Sequence, residues 1–265
     1  MTMQTAEADT HTFGGLLRTW RQRRRVSQLD LSLDAEISSR HLSFLETGRA
    51  RPSRDMVLRL AEQLDLPLRD RNALLLAAGY APVYPERPLA DPLLGPVRDL
   101  VERVLKGHEP LPALAIDRHW TLVAANAAVA PLLAGCAPAL LEPPVNVLRL
   151  SLHPDGLSGR IVNLPEWREH LLERLRRQAA HSGDPALSTL MAELMGYPAP
   201  ATDRRHAATE LTEVAIPFRI ATEGSVLSFL STSMVFGTPR DVTVAELAIE
   251  AFWPADDTTA AAFKR

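Results

Sequence analysis

Five prolines fall within the eighteen residues from Gly79 to Pro96, "GYAPVYPERPLADPLLGP", and neither a continuous helix nor a central strand survives that spacing. The stretch divides the 265-residue chain, and charge changes sign across it. Residues 11–60 hold ten arginines against five acids, whereas residues 81–265 hold 17 basic groups against 22 acids. The formal net charge of -3 conceals this division, and the basic half is the part suited to a polyanion. The expected layout is a disordered N-terminus over residues 1–11, a first domain over 12–80, a proline-rich linker over 81–96 and a second domain over 97–265.

Before the prolines every periodic segment is helical. Phe13, Leu16, Leu17 and Trp20 recur at i, i+3, i+4 and i+7, the apolar stripe of a helix that trails into Arg21, Arg23, Arg24 and Arg25. Ser27, Ser38 and Ser53 stand where N-caps belong, ahead of a segment whose Leu29 and Leu33 are four apart, one with Leu42 and Leu45 as its inward pair, and one with a Met56, Val57, Leu60 and Leu64 face. Pro67 opens a further segment that stops at Gly79. The pattern predicts a small all-α module of five short helices.

After the prolines the period shortens. "LPALAID" and "TLVAANA", separated by the corner "RHW", predict a hairpin, followed by a helix started at Asn126. Helices are expected from Pro165 to about Ala180, with Trp167, Leu171, Leu175 and Ala179 on one stripe, and from Asp184 to Met195, where Leu187, Leu190, Met191 and Leu194 align. Three strands close the chain: one alternating through Val214, Ile216, Phe218 and Ile220, one in "SVLSFLSTSMVF", and one through Leu247, Ile249, Ala251 and Trp253. The fold class expected is thus two domains, an all-α five-helix module followed by an α+β domain with helices packed on an antiparallel sheet.

Several chemistries find no support. The one cysteine, Cys136, rules out an internal disulfide or a thiolate zinc cluster and reads as a buried thiol. The eight histidines are scattered without ligand spacing, so no metal is expected. "DGLSGR" lacks the nucleophile-elbow spacing, and neither a glycine-rich phosphate loop nor a zinc-protease motif occurs, so no catalytic residues are assigned and no enzyme is expected. The N-terminus "MTMQTAEADTHTF" lacks a basic-then-apolar leader pattern and no window is long and apolar enough to span a bilayer, which leads to the expectation of a cytoplasmic protein without membrane contact.

The stretch "SQLDLSLDAEISSRHLSFLETGRARPSRDMVLRLAEQL" resembles the XRE-type (lambda-repressor-like, Cro/C1) helix-turn-helix family, with Gln28, Leu31, Ser38, Leu42, Leu45, Glu46, Gly48, Arg49 and Pro52 at its pattern positions. The resemblance spans about residues 12 to 79 and implies binding to double-stranded operator DNA. A recognition helix needs an apolar underside and a polar N-terminal end. With Leu42 and Leu45 down, Ser39, Arg40, Ser43 and Phe44 turn outward, Arg40 suited to guanine and Phe44 to a thymine methyl. Gln28 is placed to donate to a phosphate, Arg49 and Arg51 to neutralise phosphates, and Ser38 and Thr47 complete the candidate contacts. Glu46 is expected to hold the fold by pairing with an arginine or a backbone donor. The turn has Glu36 where a left-handed glycine is common, a departure costing roughly 1 kcal/mol.

The segment "LPALAIDRHWTLVAANAAVAPLL", taken with the helical module, resembles regulators of the XRE class that carry an MmyB-like, PAS-like ligand-binding domain. That resemblance implies a cavity for an apolar, fatty-acyl-type ligand. The expected inner face of the sheet is Val214, Ile216, Phe218, Ile220, Met234, Phe236, Leu247, Ile249 and Trp253, facing Trp167, Leu171, Leu190, Met191 and Leu194 on the helices. By themselves these residues favour a solid interdigitated core; the resemblance implies a pocket instead. His170 and Arg219 are the candidate anchors for a ligand carboxylate. The chain is expected to act as a sequence-specific transcription regulator, working as a homodimer and sensing a small apolar ligand such as a fatty acid. The alternative is a constitutive repressor whose C-terminal domain is a ligand-free dimerisation or protein-interaction module.

Overall fold

The computed structural model describes residues 12–198 and 215–264. The N-terminal segment 1–11, expected to be disordered, lies outside the described residues, as does Val214 at the head of the predicted strand. By their contacts the residues form two units, the first made mainly of residues up to Glu86 and the second mainly of those from Arg87 onward.

The first unit consists of helices α1 (Phe13–Arg23), α2 (Gln28–Asp34), α3 (Ser39–Glu46), α4 (Arg54–Gln63) and α5 (Leu68–Ala77). Hydroxyl caps start four of them. Thr12 accepts from the Gly15 amide, Ser27 from Asp30, Ser38 from His41 and Ser53 from Met56, each cap contributing about 1 kcal/mol. One buried cluster, including Leu17, Trp20, Leu31, Leu42, Leu45, Val57, Leu60 and Leu74, fills the interior. Gly14 is required where α1 meets the end of α3, because a Cβ there would lie 2.5 Å from the Glu46 carbonyl oxygen.

Helix α2 does not turn its two four-apart leucines inward. Leu29 and Leu33 are 58% and 67% exposed, and Leu31 is the fully buried residue of α2. Leu31 shares its face with Ala35, which is also fully buried, so the small residue at the turn sets the close approach and rotates the other leucines outward.

The prolines do not all belong to a free linker. Asn72 of α5 accepts from the Val83 and Tyr84 amides at 3.0 and 3.1 Å and donates to the Tyr84 carbonyl at 2.6 Å, while the Tyr80 hydroxyl donates to the Pro52 carbonyl. Residues 80–84 therefore belong to the helical unit, and the last residues of the expected linker, Gly95 and Pro96, open helix α6 (Gly95–Gly107).

In the second unit, β1 (Ala113–Ile116), β2 (Leu122–Ala125), β3 (Phe218–Thr222), β4 (Ser225–Val235) and β5 (Ala248–Pro254) form one antiparallel sheet in the order β2-β1-β5-β4-β3. Helices α7 (Val147–Leu152), α8 (Leu164–Ser182) and α9 (Pro185–Met195) precede β3, and α10 (Asp257–Ala262) follows β5. This is the α+β, PAS-like architecture expected.

Alternation assigns the strands to two cores. Ala113, Ala115, Ile249 and Ala251 join Val101 and Leu105 of α6 in a small cluster. Phe218, Ile220, Leu227 and Phe229 join Trp167, Leu171, Leu175, Leu190 and Leu194 in the large one, where Cys136 is also buried.

Asn126 does not start a helix. Its buried amide accepts from the Ala113 amide and donates to the carbonyls of Leu105 and Leu111, stapling the end of the hairpin to α6, and the short 3-10 turn Ala130–Leu133 comes next.

Candidate DNA-reading helix and ligand cavity

Helix α3 is anchored from beneath. Leu42 and Leu45 are fully buried, and the carboxylate of Glu46 takes Nε of Arg21 at 2.6 Å and NH2 of Arg21 at 2.9 Å. The same carboxylate takes the Gln28 amide at 2.7 Å, so one buried acid fixes α1, α2 and α3 together. The turn into α3 holds Glu36 at φ 54°, the left-handed conformation expected of that position.

The opposite face is open. Ser38, Ser39 and Arg40 are exposed, and Ser43 and Phe44 are half-buried. The Arg40 guanidinium lies 5.3 Å from the Phe44 ring centroid, so the two candidate base-contacting side chains of α3 stack on each other. Thr47, Arg49 and Arg51 are exposed along the following loop, which turns at Gly48 (φ 71°) and folds back through the Arg49 amide to the Phe44 carbonyl at 2.8 Å.

The basic run after α1 divides by task. Arg21 is committed to Glu46 and the Val26 carbonyl, and Arg24 donates to the carbonyls of Leu64 and Asp65 at the end of α4. Burial holds the Arg24 pKa below its usual value, with Arg23 working the same way and Asp65 opposing.

The second unit holds a partly open apolar cavity of about 100 Å³. Trp167, Leu171 and Arg174 of α8 form one wall, Leu114, Trp120 and Leu122 of the hairpin another, and Val129, Leu132, Leu133, Leu148 and Leu150 close it from the intervening segment. Phe218, Ser231, Glu250 and Phe252 supply the sheet side.

Trp120 reaches this wall from a backbone at φ 65°, a conformation that costs an aromatic residue on the order of 1 kcal/mol. Asp117 holds that corner by accepting from the amides of His119 and Thr121, both at 2.8 Å. The Trp120 indole donates to Gln178 at 2.7 Å, and the Arg174 guanidinium sits 4.7 Å from its ring.

Of the residues predicted for a ligand site, Trp167, Leu171 and Phe218 line this cavity. Leu190 and Leu194 are buried in the surrounding core, with Met191 and Ile216 packed against it, and none of these four reaches the cavity. His170 stacks on Trp167 at 5.4 Å without lining the cavity. Arg219 is half-buried in β3 and lines no part of it. Met234 is 42% exposed and Phe236 packs against the α6 cluster, so both leave the predicted inner face.

Register explains the misassignment. Ser231 pairs with Phe252 and Ser233 with Glu250, while Thr232 pairs with Ala251 and Met234 with Ile249; directly opposed residues share a face. The polar residues Ser231, Ser233 and Glu250 thus share the cavity side with Phe252, and Ile249 and Trp253 lie on the other. Sequence reasoning missed Arg174, Ser231 and Glu250. A charged residue alternating with apolar ones signals an outward face, and the partner that permits Glu250 inside stands 76 residues away in sequence.

A helix-turn-helix whose second helix has an exposed N-terminal end, followed in the chain by a PAS-like unit with an apolar cavity, defines a two-domain, ligand-responsive DNA-binding regulator. Residues 97–265 match the MmyB-like transcription regulator ligand binding domain, and residues 12–74 match a helix-turn-helix domain. The chain belongs to the MmyB-like transcription regulator family. No curated protein matches it in a sequence search. Among the described residues, no helix is long and apolar enough to cross a membrane.

Proposed function

We propose that the chain is a cytoplasmic, sequence-specific transcription regulator that binds operator DNA as a homodimer and changes its DNA affinity when a small apolar molecule of fatty-acyl type occupies the cavity of the C-terminal unit. The observation that supports it most directly is that cavity, walled by Trp167, Leu171, Leu114, Leu122 and Phe218 in the same chain as an exposed recognition helix. Arg40 and Phe44 read base edges, with Ser39 and Ser43 beside them. Ser38, Thr47, Arg49 and Arg51 contact the sugar-phosphate backbone, and Gln28 joins them through the amide proton that Glu46 does not take. A single recognition helix covers one half-site, so two copies spaced about one helical turn apart supply the affinity and specificity a regulator needs.

Ligand control requires unequal affinity for two arrangements of the dimer, since equal binding shifts nothing. As it stands, the cavity of about 100 Å³ takes a short chain, while pockets for larger ligands run roughly 300–1,000 Å³. A long acyl chain therefore displaces the Leu132 and Leu133 segment. The test is selection from random duplexes by the purified full chain, with native mass spectrometry of the same preparation. Recovery of a two-fold-symmetric site and a co-purifying or added apolar ligand is expected. No duplex binding even at about 50 mM salt sinks the DNA reading; a dimer that binds operator identically with every apolar compound tried makes the C-terminal unit a constitutive interaction module.

A further inference from the structure

The apolar cavity holds two charges that are already paired. Arg174 of α8 donates through NH1 to Oε2 of Glu250 at 3.0 Å and through NH2 to Oε1, and the Ser233 hydroxyl joins both, accepting from Arg174 at 2.7 Å and donating to Glu250 at 2.8 Å. The Glu250 side chain is 6% exposed and that of Arg174 31%, so the acid is the buried member of the pair. The pair is neutral, and three donors already take most of the acid's acceptor positions, two on Oε1 and one on Oε2. On the same face of β4, the Ser231 hydroxyl lines the cavity and bonds no other group among the described residues.

We infer that the cavity selects an uncharged ligand whose polar end is an amide, alcohol or ester, and that Glu250 is the residue that excludes the free acid. The inference rests on the proposed ligand role of this cavity and specifies the chemistry of its occupant. An incoming carboxylate has two choices. It can settle beside Glu250, placing a second anion next to a buried acid whose neighbouring guanidinium is already neutralised. Alternatively it can displace Glu250 from Arg174, stranding a buried carboxylate without its partner, which is the costly half of breaking a buried ion pair. A neutral head avoids both. It exchanges hydrogen bonds with Ser231, whose hydroxyl both donates and accepts, and leaves the Arg174–Glu250–Ser233 arrangement intact.

The experiment is calorimetric titration of the full-length protein with octanamide, octan-1-ol and octanoate at about pH 7.5, where octanoate is ionised. Octanamide and octan-1-ol are expected to bind about tenfold or more tighter than octanoate, a difference of at least one pKa-equivalent of like-charge interaction. In Glu250→Gln the competing anion is gone and Arg174 is left cationic, so the order inverts and octanoate gains about tenfold or more. Ser231→Ala weakens octanamide several-fold. Octanoate binding as tightly as octanamide to the unmodified protein overturns the inference while leaving an apolar-ligand site in place, and this comparison needs no variant to fold. Failure of all three compounds to bind removes the ligand role itself, and the inference with it.

Discussion

Arg21 of α1 and Glu46 at the end of α3 form a bidentate ion pair, with the two side chains 12% and 2% exposed. A recognition helix of eight residues is too short to hold its own orientation, and this pair, with Gln28 as a third member, supplies it. Removing one partner leaves the other charge buried. Glu46→Ala should lower the stability of the helical unit by about 3 kcal/mol, read from denaturant unfolding of the full chain by its N-terminal transition. A loss under about 1 kcal/mol would show that the pair does not orient α3.

Arg40 and Arg51 are both exposed, but the proposed roles separate them. Arg40→Ala should relax base preference at one operator position by about 1–3 kcal/mol. Arg51→Ala should weaken all duplexes alike and reduce the salt slope by about one. Fluorescence anisotropy across a salt series and a set of single-base operator variants measures both. Identical behaviour of the two variants refutes the division.

Glu36 occupies the left-handed region at φ 54° in the turn before α3. Glu36→Gly should raise stability by up to about 1 kcal/mol by relieving that conformation, less the backbone entropy a glycine adds to the unfolded chain. Any destabilisation beyond about 0.5 kcal/mol would mean that the Glu36 side chain makes a contact outweighing the strain.

Burial pushes the pKa of His170 below its ordinary value of 6.5, and Arg174 and Arg177 push it the same way against Glu250. In the folded chain His170 therefore binds fewer protons than in the unfolded chain just below pH 6.5. Its contribution to stability is complete above that pH and declines as pH falls through the window down to the folded pKa. NMR titration of the imidazole in the full-length protein should give a midpoint under 6.5, and His170→Phe should flatten the acid side of the stability profile. A midpoint at or above the ordinary value contradicts this.

The helical unit was legible because its information is local. Caps at Ser27, Ser38 and Ser53 and the inward Leu42 and Leu45 each follow from residues within one turn. In α2 the spacing of the leucines did not disclose that Leu31 is the buried one, because its partner on that face is the small Ala35, which apolar spacing undervalues. In the C-terminal unit, the strands and the two long helices were readable, but which face met the cavity was not. That depends on the Ser233–Glu250 register and on Arg174 arriving from α8, a long-range pairing that reverses what local alternation implies. The corner at Trp120 was hidden likewise, since positive φ at an aromatic residue is specified by Asp117 accepting the amides around it and not by any propensity of its own.

The residues of α3 that hold the fold and those that face outward do not overlap. Leu42, Leu45 and Glu46 are packed or paired, whereas Ser39 and Arg40 are exposed, and neither side chain forms a hydrogen bond or ion pair to another element among the described residues. Substitutions at those two positions are nearly neutral for folding. If positions 39 and 40 meet the bases as proposed, a lineage of such proteins can drift to new target sequences through single steps there, each intermediate remaining folded and none requiring a compensating change elsewhere.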